Sequence, residues 1–397
     1  MSLDFEKLTK FDLLDEVENA LLATDNPGRL KDFFTTMQEI ISTDQLIKDS
    51  PSFPGSTDTI IRDELISAIG STLAIEGTLL AKEEIEESFQ KADGNEKLRR
   101  KEQEAENSRK VYNFILELVA RNEGDFIYTE EMIRQIHTYF TDGMNYLSNV
   151  PGEYRSNFPA RFGYPTRQGL CRTRPEVEMA MSNFIKWLNE PDKGILGSSI
   201  IAKAVMAHYY LTEIHPFGDG NGRTARAVEA LVLYVNKVNS YCFWSLANFW
   251  SSNRNQYIVH LGDIYSTCNP WDFLIWGMKG YLEEIKRVKG SVLKKVKQLM
   301  LMDYAKYLLD NKEKQKIKIN PRIVEILRLL VHGGKVPLED LLSSPQVTAL
   351  FRNVKRTTRY RDFKKMEALK LIRRSIENDK IFIEPNFQIL EALTYYA

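Results

Sequence analysis

Three glycines at alternate positions, Gly218, Gly220 and Gly222, interrupt two apolar helical patterns, one over 197–213 and one over 222–236. Such a run lets the backbone turn sharply and leaves its N–H groups exposed just ahead of a helix that starts near Gly222. Unpaired amides and the positive end of the helix macrodipole together make an anion site, for which phosphate is the natural guest. Arg223 and Arg226 share a face of that helix, and each suits a pair of phosphate oxygens. Asp219 is placed to hold a Mg²⁺ that bridges phosphates, and His215 is a candidate general base. A base, a metal ligand, an anion cradle and two phosphate clamps within residues 215–226 predict phosphoryl or nucleotidyl transfer. No Gly-Lys-Ser/Thr follows, so this is not a Walker loop, and acidic residues are missing at EF-hand spacing. His208 and His215 have no third ligand at a spacing that suits zinc.

A chain of 397 residues predicts two or three domains. Fifty-four Lys and Arg balance 54 Asp and Glu, so overall charge favours neither nucleic acid nor an acidic membrane surface. Cys171, Cys242 and Cys268 are too few and too scattered for a disulfide framework, which suits a reducing cytoplasm. The N-terminus opens on an acidic amphipathic stretch rather than an export signal. The most apolar run, around Ile195 to Leu211, is broken by Ser198, Ser199, Lys203 and His208, and therefore reads as a buried helix rather than a membrane span.

Helical spacing recurs from 58 to about 75, near 108–121, over 129–143 and 175–189, and roughly over 243–285. Between Pro151 and Arg174, glycines and prolines give loop and hairpin composition. Ile323–Leu330, Leu338–Leu342 and Leu350–Ile372 read as three helices. Two short strands follow around Glu377-Asn378-Asp379, and this order suggests a winged helix.

The segment from His215 to Arg226 resembles the signature of the Fic family, His-x-Phe-x-Asp/Glu-Gly-Asn-Gly-Arg-x-x-Arg, at every specified position. Gly152-Glu153-Tyr154-Arg155 looks like the turn that opens the family's flap, and the similarity covers roughly 60–285. One departure is Ala225, where Gly is common. The resemblance implies a mainly α fold: a Fic-type helical core with a short β-hairpin flap, here with a C-terminal winged helix. It divides the chain into an N-terminal helical region (1–105), a catalytic core (106–290), a linker helix (291–315) and a winged-helix-like domain (316–397).

It further implies an adenylyltransferase that moves AMP from ATP to a hydroxyl of a target protein, itself included, with Mg²⁺ as cofactor. His215 is then the base and Asp219 the metal ligand. Gly220, Asn221 and Gly222 line the α-phosphate site, Arg223 meets the β-phosphate, Arg226 the γ-phosphate, and Phe217 anchors the loop. Tyr257 looks like the family tyrosine near the adenine. Thr72-Leu73-Ala74-Ile75-Glu76-Gly77 matches the family's inhibitory pattern, with Thr72 and Glu76 one helical turn apart and Glu76 able to pair with Arg226. Arg161, Phe162, Gly163 and Tyr164 occupy the place where a target backbone adds as a strand. Two rival readings remain at this point: a de-AMPylating hydrolase in which Glu76 orients water, and a nucleotide-sensing DNA-binding regulator. Between Lys312 and Arg374 basic residues outnumber acidic ones more than twofold. Nucleic-acid contact there is admitted but not favoured, a homodimer is admitted, and no membrane partner is expected.

Overall fold

In the computed structural model the described residues are 3–23, 27–50, 56–121, 125–145, 149–156, 162, 169–191, 194–197, 199–238, 246–311, 316–352 and 354–393. They divide into two compact units, Met1–Lys289 and Gly290–Ala397. The division falls inside one helix, Trp271–Asp310, so the linker expected at 291–315 is not a separate element.

The centre of the first unit is the helix Ile200–Ile214, buried on all sides through residues such as Val205, Met206, Tyr209, Tyr210 and Leu211. A helix apolar all round is a core helix. It stops at His215, whose φ of 50° is left-handed, and the loop to Gly220 returns the chain as the helix Asn221–Val235, packed along it. Helix Glu130–Thr141 adds Ile133, Ile136, His137 and Phe140 to this core, an i, i+3, i+4, i+7 stripe. The helix expected over 243–285 is three: Ala247–Ser252, Arg254–Thr267 and the start of Trp271–Asp310. Cys268 ends the second of them at φ 54°.

The helix Ser56–Ile75 belongs to this unit rather than to a separate N-terminal region. It buries Ile66, Ala68, Ile69 and Leu73. Ser67 and Ser71 donate to Asn248 Oδ1 at 3.2 and 2.7 Å, and Arg287 donates to Glu64 at 2.8 Å. Its C-terminus is closed by a Schellman motif: Gly77 N–H donates to Ala74 O (3.0 Å) and Thr78 N–H to Leu73 O (3.0 Å). Gly77, at φ 91°, takes the left-handed place. The preceding residue, Glu76, is thereby held at the helix end.

The second unit carries helices Pro321–Gly333, Leu338–Ser343, Pro345–Leu350 and Arg356–Ala368 and an antiparallel sheet. In that sheet Lys380–Pro385 lies between Val336–Pro337 and Ile372–Glu377, with Ile372 opposite Pro385 and Glu377 opposite Lys380. Asn378 and Asp379, both at positive φ, make the two-residue turn. The helix expected over 350–372 is shorter, Arg356–Ala368, with a further helix, Pro345–Leu350, ahead of it, and Lys370 at φ 55° follows its end before the strand begins. No helix among the described residues is long and apolar enough to cross a membrane.

Two glycines of the helix Trp271–Asp310 make opposite predictions. A Cβ at Gly280 would stand 2.2 Å from a ring carbon of Phe249, whereas one at Gly290 would meet nothing within 4 Å. In chemical denaturation Gly280→Ala should lose about 1–3 kcal/mol. Gly290→Ala should gain about 0.5–1 kcal/mol.

Candidate active site

The loop between the two central helices is fastened before it presents any chemistry. Asn221 Oδ1 accepts from Phe217 N–H (2.9 Å) and its Nδ2 donates to Phe217 O (2.9 Å), which closes the loop on itself. The Phe217 ring is fully buried and stacks on His137 at 3.7 Å, almost parallel. The Asn221 side chain is therefore structural, and what it brings to an anion site is its backbone amide. Thr224 N–H, bonded to Gly220 O at 3.0 Å, makes the first backbone bond of the following helix. The amides ahead of it project from the helix N-terminus.

A second fastening comes from the turn that begins at Gly152. Arg155, 6% exposed, donates through Nε to His215 O (2.6 Å) and through Nη2 to Cys171 O (2.7 Å), while its own N–H donates to Pro216 O (2.9 Å). These bonds hold the left-handed backbone of His215. The His215 ring stacks on Phe162 at 4.1 Å, and Nδ1 meets Thr212 O at 3.3 Å. A carbonyl accepts only, so Nδ1 carries the proton and Nε2 is the basic nitrogen.

His137 supplies the third. Gly152 N–H donates to its Nδ1 (3.0 Å), so Nε2 carries the proton and donates to Asp219 O (3.0 Å). One buried imidazole thus joins the turn at Gly152 to the loop at Asp219. Burial, with Arg223 nearby, lowers its pKa from 6.5 to about 4 against the pull of the Asp219 carbonyl.

The ionic part of the site faces the helix N-terminus. Asp219 Oδ1 accepts from Gly220 N–H at 2.5 Å and from Arg223 Nη2 at 3.1 Å. Arg226, only 2% exposed in its side chain, donates from Nε to Thr72 Oγ1 (2.9 Å) and from Nη2 to Glu76 Oε1 (2.6 Å) and Thr72 O (3.2 Å). The Glu76 carboxylate also lies over Gly222, where a Cβ would stand 2.5 Å from Oε1. With a side chain at residue 222 the Glu76 carboxylate would have to move from its place at the helix start. Loss of hydration opposes ionisation of Glu76, but Arg226, with Arg223 and Arg254 behind it, outweighs this and holds the carboxyl below its ordinary range. Arg254 also donates to Ile75 O at 2.9 Å, capping the helix that carries Glu76.

The structure thus brings together His215, Phe217, Asp219, Gly220, Asn221, Gly222, Arg223, Arg226, Thr72, Glu76 and Gly77. It places Tyr257 differently from an adenine contact: the residue is 4% exposed, and its hydroxyl lies 2.8 Å from His208 Nε2 in the core. Of the expected docking segment, Arg161, Gly163 and Tyr164 lie outside the described residues. His137 and Arg254 support the site without being singled out by the sequence, and Arg155, expected only as part of the flap-opening turn, fastens His215. Asp219 beside an anion cradle suits a Mg²⁺ that arrives with phosphates, since that ion takes one or two carboxylates and completes its shell with phosphate oxygens and water. Among the described residues no group of three or more His, Cys, Asp or Glu side chains forms a protein-only metal site.

Comparison with known proteins finds that a model of the Fic/DOC family matches residues 127–233. "Protein adenylyltransferase fic-1" of Caenorhabditis elegans is 43% identical over 60 residues, 15% of this chain and 11% of that protein. "Protein adenylyltransferase Fic" of Culex quinquefasciatus is 45% identical over 51 residues, 13% of this chain and 10% of that protein. The matched part therefore spans about a tenth of these relatives' length. Among solved structures, a Fic family protein from Desulfovibrio desulfuricans G20 superposes with a TM-score of 0.54 at 16% identity, covering 87% of this chain and 95% of that one. Residues 134–508 of Fic-1 from C. elegans give 0.51 at 17% identity, covering 72% and 82%. These structures show a shared fold.

The His137 bridge makes stability depend on pH. Unfolded, the ring takes a proton below about 6.5; folded, it does so only near 4. Its contribution is complete above 6.5 and is lost as pH falls toward 4, about 2 kcal/mol of it by pH 5. Urea denaturation at pH 7 and pH 5 should show this slope in the wild type and a shallower one in His137→Asn.

Proposed function

We propose that this chain, whose residues 127–233 are a Fic/DOC domain, is a protein adenylyltransferase restrained by its own Glu76. The observation that carries the reading is an anion site already holding an anion: the Glu76 carboxylate sits on Arg226 and over Gly222. The site is built to receive negative charge, and the chain supplies a replaceable one.

With ATP in that site, the amides of Gly220, Asn221 and Gly222 face the α-phosphate, Arg223 the β-phosphate and Arg226 the γ-phosphate. Asp219 would hold Mg²⁺, which when bound neutralises phosphate charge. A target hydroxyl oxygen attacks the α-phosphorus while His215 Nε2 takes the hydroxyl proton. The bond from that phosphorus to the bridging oxygen breaks, and pyrophosphate leaves with its electron pair. The protein's contribution is preorganisation: donors fixed where charge develops, on a loop tied down by Arg155, His137 and Asn221. Glu76 blocks this because a γ-phosphate and a carboxylate cannot both occupy Arg226. We further assign the target-docking role to the segment around Phe162, which stacks on the base. The cytoplasm, a protein target and a homodimer remain part of the proposal, as does protein docking by the second unit.

Labelled-AMP incorporation measures the restraint. A charge-assisted bond is worth roughly 1.5–3 kcal/mol, but Glu76 keeps 41% of its side chain in solvent, which weakens the pair. Glu76→Gly should therefore raise incorporation about tenfold over wild type at equal Mg²⁺. Adding His215→Ala should abolish it. Equal rates in wild type and Glu76→Gly would remove Glu76 from control, and loss of AMP from a pre-labelled target only when Glu76 is present would favour the hydrolase instead.

A further inference from the structure

The helix that carries Glu76 to Arg226 is held in its unit by two unlike faces. Ile66, Ile69 and Leu73 are buried as an apolar stripe at i, i+3 and i+7. Glu64, Ser67 and Ser71 repeat that spacing on the other side, and their partners come from the helices Ala247–Ser252 and Trp271–Asp310. The Ser71 and Ser67 hydroxyls donate to Asn248 Oδ1 at 2.7 and 3.2 Å, and Asn248 Nδ2 donates to Glu284 Oε2 at 3.1 Å. Arg287 donates to that same Glu284 oxygen through Nε (3.2 Å) and Nη2 (3.0 Å). It also donates to both carboxylate oxygens of Glu64, at 2.8 Å from Nη1 to Oε1. One arginine thus reaches the helix twice. It does so directly at Glu64 and, through Glu284 and Asn248, at Ser71, the neighbour of the Thr72 that accepts from Arg226 Nε.

The pair at the centre of this network is uneven. The Glu64 side chain keeps 6% of its surface in solvent and that of Arg287 41%. Among the described residues Arg287 is the cation that pairs with Glu64. Without it the carboxylate is buried and uncompensated, a costly state that is relieved by moving Glu64, and with it the helix, toward water. The serine and asparagine bonds exchange for bonds to water at small net cost and do not prevent the movement.

We propose that Arg287 is a positioning residue for the restraint: by compensating Glu64 it holds the helix Ser56–Ile75 where Glu76 meets Arg226, so that loss of the Arg287 charge releases transfer with Glu76 intact. Arg287 acts on the brake and not on the chemistry, since its printed partners are Glu64 and Glu284 and neither belongs to the loop. The role rests on Glu76 restraining an adenylyltransferase, as in the reading above, and adds what holds Glu76 in place.

The experiment measures labelled-AMP incorporation and amide hydrogen exchange on the full chain. The variants are Arg287→Gln, Arg287→Lys, Glu64→Gln/Arg287→Gln, Glu76→Gly and Glu76→Gly/Arg287→Gln. Arg287→Gln should raise incorporation about fourfold over wild type and speed exchange across residues 56–76. Arg287→Lys keeps the charge, and Glu64→Gln/Arg287→Gln removes the buried charge that it answered, so both should stay within about twofold of wild type. Added to Glu76→Gly, Arg287→Gln should change incorporation by less than about 1.5-fold, because no carboxylate remains to be held. No rise in Arg287→Gln, an equal rise in both backgrounds, a fall in both, or no rescue by Glu64→Gln overturns the proposal. Failure of the underlying reading looks different: Glu76→Gly itself would then incorporate no more AMP than wild type, and the role of Arg287 in transfer would fall with it.

Discussion

One buried cation organises the site. The Arg226 guanidinium has lost almost all contact with water, so its charge must be answered within the protein, and its neighbours are arranged as that answer. Thr72 offers a hydroxyl and a carbonyl, and Glu76 a carboxylate. This requirement draws the helix Ser56–Ile75 into the unit that holds the loop. It also explains why a segment far upstream in sequence is part of the site rather than an appendage to it.

The loop itself follows a related logic. Left-handed backbone at His215 and at the helix cap Gly220 is held by bonds to the main chain rather than by charge. Arg155 donates to the carbonyls around His215, His137 to that of Asp219, and Asn221 pairs with both backbone groups of Phe217. Fixing the backbone in this way sets Asp219 and Arg223 against each other at the helix start, with His215 beside Phe162. A rigid loop costs no reorganisation when charge develops in front of it.

How much of this the sequence shows depends on the distance between partners. The stretch 215–226 is legible because its glycines, acid, base and arginines lie within a few helical turns and imply one another's roles. The end of the helix at Ile75 is legible because Gly77 marks it. The ends at Cys268 and Lys370 are not, since neither residue advertises a left-handed conformation and the helical spacing runs on past both. The supports are hidden for another reason. His137 and Asp219 are 82 residues apart, Arg155 and His215 60, and His208 and Tyr257 49, so no local spacing announces them. Tyr257 shows the consequence: the family resemblance puts it near a base, but its hydrogen bond puts it with His208 in the core.

Exposure would make the proposed restraint reversible. The two partners of the central ion pair are unequal, with 2% of the Arg226 side chain in solvent against 41% of Glu76. The cation is built into the core and held there by Thr72, whereas the anion stands at the rim on a helix end, capped by Arg254 and turned by Gly77. Withdrawing Glu76 therefore returns a carboxylate to water at modest cost, while withdrawing Arg226 would tear open the interior. An incoming phosphate needs to displace only the exposed member. In the proposed adenylyltransferase this asymmetry would turn a salt bridge with one buried partner into an exchangeable seat for anionic ligands.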